Sequence, residues 1–349
     1  MFAELEFGLD TFGDATVAPD GTPLSHAQVI RNVIAEGVLA DEVGLNFIGI
    51  GEHHREDFAV SAPEIVMAAI AARTKSIHVG SAVTVLSSDD PIRVYQRFSE
   101  LNALSEGRAE VILGRGSFTE SFPLFGFELR DYETLFEEKL DLFVEIVKEQ
   151  PVTWSGSIRP ALSETRIYPP IEEGHLKTWI GVGGSPESVV RAARYGLPLM
   201  LAIIGGDPLR FRPYVDLYHR ALTEMGKPVL PVGQHSPGFV AATDEQAREL
   251  AWPHYRDMHA RIGAQRGWPP LSRAQFDAEA GPEGALMLGS PETVAAKIAR
   301  SMSGLGVTRF DLKYSLGTLS HENLMECIRL YGTEVVPRVR ELVATAKAA

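Results

Sequence analysis

Cysteine is nearly absent from this chain. Cys327 stands alone among 349 residues, which excludes an intrachain disulfide. It falls in a helical pattern at 322–330, where a core role is expected rather than a nucleophilic one. Long apolar runs are also missing. No window approaches ~18 uninterrupted apolar residues, so no membrane span is expected. Positive charge is in deficit: Lys plus Arg total 33 against 46 Asp plus Glu, a formal net charge of −13. That balance argues against nonspecific nucleic-acid binding and against an anionic membrane surface. It leaves room for a local basic pocket. The first residues, Met1 to Glu6, carry neither a basic stretch nor a long apolar one, so no secretory signal is expected and the expected location is the cytoplasm. No dinucleotide fingerprint of Rossmann type is visible.

What is present is alternation. Apolar residues make up 45% and charged residues 23%, an ordinary soluble composition. Short apolar runs predict strands at 5–10, 46–51, 77–86, 108–114, 178–182, 197–204, 238–242 and 308–314. Amphipathic runs predict helices at 27–43, 63–73, 91–104, 132–148, 186–195, 207–225, 244–262, 291–304 and 321–343. The first four strand–helix pairs call for parallel strands but do not separate a closed barrel from an open doubly wound sheet. The full count of eight is that of an α/β protein with a (β/α)8 TIM barrel, in one domain over 1–349. Two stretches break the rhythm. One is 152–177, with Gly156, Pro160, Pro169, Pro170 and Gly174. The other is 263–289, which reads as an insertion and a flap over the site.

In such a barrel the site is built just after each strand. Three clusters there carry chemistry. Phe47-Ile48-Gly49-Ile50-Gly51 runs into Glu52-His53-His54, and titratable groups at a buried strand end are costly unless something uses or satisfies them. Neighbouring extended residues point opposite ways, so both histidines are not expected at one centre. The other histidines lie at strand starts, in helices or in the excursion, with His235 placed just before the seventh strand. That is a poor ligand supply for a metal. One histidine handling a proton fits better, and a histidine that only buttresses the rim stays open. Gly183-Gly184-Ser185-Pro186-Glu187-Ser188 follows a strand and opens a helix, a pattern suited to an anion, with plain N-capping as the alternative. Gly114-Arg115-Gly116-Ser117 presents a guanidinium between glycines, suited to phosphate or carboxylate, with a salt bridge as the alternative.

Taken together, the sequence resembles the bacterial-luciferase-like flavin-dependent monooxygenases. The resemblance rests on Phe47 to His54, Val79 to Leu86, Leu104-Ser105-Glu106-Gly107-Arg108, Leu113-Gly114-Arg115-Gly116 and Tyr195-Gly196-Leu197-Pro198, each at its place in the order. It covers 1–130 and 178–204 best and 286–315 more loosely. The resemblance implies reduced FMN as cofactor, or the deazaflavin F420 in some branches. It implies oxygen addition at the flavin C4a atom and attack of that peroxide on a small organic substrate. Arg115 matches the arginine that holds the flavin phosphate, with Ser185 and Ser188 as hydroxyl partners and Gly183, Gly184 and Gly114 beside them. Ala82–Val83 matches a peptide bond that is often cis behind the ring, near Thr84, with Asp10 to Phe12 close by. His53 matches the catalytic histidine, with Glu52 and His54 in support and Glu52 expected to orient His53. Gly114 stands where luciferase has a reactive cysteine, and Gly184 where it has an acid, which speaks against long-chain aldehyde light emission. A separate flavin reductase is the implied source of reduced flavin. A homodimer is implied through the second and third helices, the second rich in alanine. A metal-dependent barrel hydrolase and a flavin-binding protein without chemistry remain as alternatives.

Overall fold

Strands that are apolar on both faces need cover on both, from side chains filling the inside and from helices outside. The computed structural model describes residues 4–116, 118–172 and 174–348, without the side chains of 265, 347 and 348. Eight parallel strands close into a ring: β1 (Glu6–Thr11), β2 (Phe47–Ile50), β3 (His78–Ser81), β4 (Ala109–Gly114), β5 (Lys177–Val182), β6 (Leu199–Ala202), β7 (Val232–Val240) and β8 (Arg309–Lys313). Each pairs with the next, and β8 returns to β1. This is the expected (β/α)8 barrel.

Inside it, Phe47, Ile112, Trp179 and Met200 pack together against Val83. Below them, Arg309 stacks 3.8 Å over the Phe47 ring. Its guanidinium bonds Glu110 at 2.6 Å and both oxygens of Asp311 at 3.0 and 3.1 Å. Burial alone would raise the Glu110 carboxyl. Arg309, the His78 hydrogen bond and Lys177 instead hold it well below the usual carboxylate range. The small residues of the strands make this filling fit. A Cβ on Gly8 would lie 2.3 Å from an Asp311 oxygen, and one on Gly233 would lie 2.5 Å from Met200.

The third strand is shorter than the apolar run 77–86 suggests. It stops at Ser81, the Ala82–Val83 bond is cis, and Thr84–Val85 then pairs with the end of β4. Four glycines make room for this bulge. A Cβ on Gly49 would lie 2.6 Å from Ala82 Cβ, and one on Gly51 would lie 2.7 Å from the Ala82 carbonyl oxygen. On the other side, Cβ atoms on Gly114 and Gly181 would meet Val83 at 2.4 and 3.1 Å. The glycines before Glu52 therefore serve the neighbouring strand.

The seventh strand begins six residues earlier than predicted. Gly238 is not its start: Val232–Pro237 form the barrel pairs, and Gly238–Val240 pair with an added strand, Met287–Gly289. Its polar residues and Pro237 hide the first half from an apolar-run criterion. Residues 263–266 continue the helix Asp244–Arg266, and a second helix, Arg273–Glu279, opens on a Ser272–Gln275 capping box. Phe276 from that helix is fully buried against Trp252 and Tyr255. The excursion 152–177 holds an antiparallel hairpin, Val152–Trp154 with Leu162–Thr165. Cys327 is buried, which pushes its thiol up to about 12, in keeping with a core role.

Outside β8, the buried Glu36 accepts hydrogen bonds from the Tyr314 hydroxyl at 2.5 Å and from His321 Nδ1 at 2.7 Å. The Glu36 bond raises the His321 pKa against the opposing effect of burial. A raised histidine stabilises the fold fully below its unfolded pKa, and that contribution is lost as pH climbs through the folded one. Urea unfolding across that window should show the native chain losing stability faster than His321→Gln. Equal slopes would remove His321 from the pH dependence.

Candidate active site

β4 and β5 pair in parallel register, so their ends deliver Arg115 and Gly183-Gly184-Ser185 to neighbouring points of the barrel mouth. Ser185 caps the helix Pro186–Tyr195, accepting from the Ser188 backbone N–H at 3.3 Å. The two serine hydroxyls bond each other at 2.8 Å, and Arg115 Nη2 donates to Ser188 Oγ at 3.2 Å. A Cβ on Gly183 would meet nothing within 4 Å, and Gly184 has φ +102°, where a side chain is strained. A guanidinium, two hydroxyls and a helix N-terminus are thus gathered beside the open backbone of Gly183, the donor set an anion requires. The salt-bridge alternative is also present: Arg115 Nη1 pairs with Glu133, which holds Arg191 at 3.1 Å as well. An arriving phosphate must share or displace Glu133. Ser117 lies outside the described residues. Under the mouth, Ala82–Val83 forms the bulge already described, and the Thr84 hydroxyl is buried without a partner among the described residues.

His53 stands on the wall beyond β2. Its ring is 4.8 Å from Phe12, 4.5 Å from Phe58 and 4.6 Å from Phe118. Nδ1 bonds Glu120 Oε1 at 3.0 Å, leaving Nε2 without a partner among the described residues. Burial would raise the Glu120 carboxyl, but the bond from His53 lowers it. Glu120 therefore orients His53. The expectation that Glu52 does so is corrected: the Glu52 carboxylate accepts from the Val85 N–H at 3.3 Å. Burial pushes Glu52 up to about 8, with Asp89 and Glu64 adding repulsion. Its place is between the bulge and the helices Pro63–Ala71 and Pro91–Leu104, where Asp89 and Glu64 share Arg97. His54 packs on Phe125 at 5.0 Å, its Nε2 buried and without a partner among the described residues, and burial lowers its pKa. The two histidines thus serve different surroundings. Among the described residues, no three His, Cys, Asp or Glu side chains form a metal-binding group.

Two further residues meet across the barrel from Arg115 and Ser185. His235 Nδ1 lies 2.6 Å from Asp10 Oδ2. The late start predicted for the seventh strand placed His235 outside the barrel; in the structure it sits within β7. Glu120 was missed for another reason. It lies 67 residues from His53 in a loop, with no spacing that links them.

The closed parallel barrel thus gathers a guanidinium and two hydroxyls where its fourth and fifth strands end, and an oriented histidine after its second. The Luciferase-like monooxygenase profile matches residues 9–309, and the chain belongs to that family, whose members are oxidoreductases acting with O2. The alkanal monooxygenase alpha chain of Photorhabdus laumondii subsp. laumondii is 25% identical over 232 residues, covering 62% of this chain and 60% of that protein. Among solved structures, the monooxygenase RslO1 of Streptomyces bottropensis superposes with a TM-score of 0.82 at 21% identity, covering 95% of this chain and 99% of that one. The oxygenating constituent of 3,6-diketocamphane monooxygenase from Pseudomonas putida, in complex with FMN, has a TM-score of 0.75 at 19% identity, covering 96% and 99%. An F420-dependent secondary alcohol dehydrogenase has a TM-score of 0.75 at 16% identity, covering 97% and 99%. The structural likenesses show the fold.

Proposed function

We propose that the chain is a flavin-dependent monooxygenase that takes reduced FMN from a separate flavin reductase and oxygenates a small organic substrate in the cytoplasm. The observation that carries this reading is the clamp of Arg115, Ser185 and Ser188 at the start of a helix, beside glycines that leave the backbone open. When bound, reduced FMN supplies the electrons that activate dioxygen. Arg115, Ser185, Ser188 and the backbone at Gly183 and Gly184 hold the phosphate. The Ala82–Val83 bulge, with Gly114 making room for it, and the Thr84 hydroxyl, which has no partner among the described residues, would hold the ring. Phe12, Phe58 and Phe118 keep water from His53, whose Nε2 holds or moves a proton. Glu52 fixes the loop after the bulge through Val85, and His54 supports the loop that carries Phe125. The segment 263–289 forms one rim of the mouth, with Arg266 stacked 4.5 Å from the Phe118 ring. The helices Pro63–Ala71 and Pro91–Leu104 form a homodimer face, a reading supported by Ile65 at 74% exposure.

An absorbance titration of the purified protein with FMN, reduced FMN and F420 tests this. Arg115→Ala should weaken FMN binding by about 1.5–3 kcal/mol, roughly 10- to 150-fold, as for a lost charged hydrogen bond. Glu133→Gln should act the other way, tightening binding by roughly threefold as a competing surface charge is removed. Unchanged affinity in Arg115→Ala would move the site elsewhere. Binding of F420 without FMN would assign a deazaflavin. One tight divalent ion per chain with no flavin binding would favour the hydrolase.

A further inference from the structure

We propose that the site takes an aromatic substrate bearing a hydroxyl group, and that His235, held by Asp10, removes the hydroxyl proton. The inference deepens the monooxygenase reading and rests on it. His235 sits on β7 and Asp10 on β1, the strands on either side of β8, so the pair spans the wall across the barrel from the clamp on β4 and β5. The bulge behind the proposed ring position is on β3. The Asp10–His235 wall therefore faces the ring's open side.

A purely structural ion pair is sealed, as Arg309 and Glu110 are in the barrel floor, with side chains at 1% and 2% exposure. The Asp10–His235 pair is sealed only at one end. Asp10 is 1% exposed, but the His235 side chain is 17% exposed, and its Nε2 has no partner among the described residues. The second Asp10 oxygen is buried with no partner either. A carboxylate on Nδ1 with Nε2 open is the arrangement that fixes the tautomer of a working histidine. The charges facing His235 are Asp10 from β1 and Asp311 and Lys313 from β8, while β6 sets Ala202 beside it. Burial would lower the His235 pKa; the two carboxylates outweigh burial and Lys313 and raise it. The result is a stronger base than free imidazole.

The aromatic half of the inference comes from the adjoining wall, beyond β1 and β2. Phe12, Phe58, Phe118 and the His53 ring form one cluster of edge-on and tilted rings. Phe12 links the two walls, 4.8 Å from the His53 ring and 5.1 Å from Lys313 Nζ. A flat aromatic substrate gains ring contacts on that side and a base on the other. In the step itself, the substrate O–H bond breaks and an Nε2–H bond forms. The imidazolium charge lies against Asp10, and the phenolate charge enriches the ring carbons that accept oxygen.

The test uses 4-nitrophenol as the probe, whose ionisation is read by its absorbance, and 4-nitroanisole as the control without a hydroxyl. Native protein should bind both, and should raise the acid dissociation constant of 4-nitrophenol by roughly tenfold. His235→Gln should bind both without that rise. Asp10→Asn should shrink the rise and move the His235 ring resonances, followed by ¹⁵N NMR, to a lower titration midpoint. Ionisation as in buffer, or a full rise in His235→Gln with 4-nitroanisole still bound, would overturn the proposal. Both readouts are taken on flavin-free protein, so they stand apart from the FMN titration. A nitrophenol effect without FMN binding would overturn the monooxygenase reading and leave the base in place.

Discussion

Replacing His53 by asparagine should lower the rate of substrate oxygenation by about 10²–10⁴-fold, the usual contribution of one positioned proton carrier. FMN affinity should stay within about a factor of two, because the clamp lies on β4 and β5 while His53 follows β2. The reason for a large effect is that the ring is placed by several restraints at once. Glu120 holds Nδ1 and three phenylalanines fix the plane, so only Nε2 is left to act. Glu120→Gln should retain part of the rate and shift its pH profile, since an amide can still accept the bond but carries no charge. Stopped-flow turnover with reduced FMN and the native substrate measures both. Undiminished turnover in the His53 variant would leave a rim histidine without a catalytic role.

Arg309→Met should destabilise the fold by about 3–5 kcal/mol, the cost of leaving buried charges without their partner. The guanidinium is 1% exposed and bridges Glu110 and Asp311, which repel one another once it is gone. Burial, with the Asp10 and Glu110 charges, already pushes Asp311 up to about 6 against the pull of Arg309. Glu110 has the opposite shift. A depressed carboxylate stabilises the fold above its unfolded pKa, and that contribution is lost as pH falls through the folded one. In Arg309→Met the two acids take up protons more readily, so the deficit should narrow as the solution is acidified. Adding Glu110→Gln should recover part of the loss at neutral pH. Thermal unfolding checks this. A deficit below about 1 kcal/mol would mean that Lys177 and His78 suffice for Glu110.

The barrel was legible because its rhythm is a bulk property: apolar runs at β1, β2, β4, β5 and β8 alternate with amphipathic helices, one of them opening on the cap Ser185. The clamp was legible for a related reason, since Gly-Gly-Ser-Pro and Gly-Arg-Gly are local and sit at strand ends. The third-strand break depends on the approach of Gly49 and Gly51 to Ala82 and of Gly114 and Gly181 to Val83, residues that lie far apart in the chain. Glu120 meets His53 from a loop 67 residues away, and Asp10 and His235 find each other only through barrel closure. The first half of β7 reads as loop because Gly233, Gln234 and Pro237 carry no strand signature. Its barrel pairing overrides that local preference, which is why a histidine set aside in the sequence turns up in the site.

Strand β7 changes neighbours partway along, and this acts as a double latch. Its lower half is held by β6 and β8, its upper half by Met287–Gly289. A slip of one residue would have to break both sets of pairs and turn His235 to the outside. The height and direction of His235 are thereby fixed from two sides. The exposed turn at 267–270 can then vary in composition without moving the imidazole.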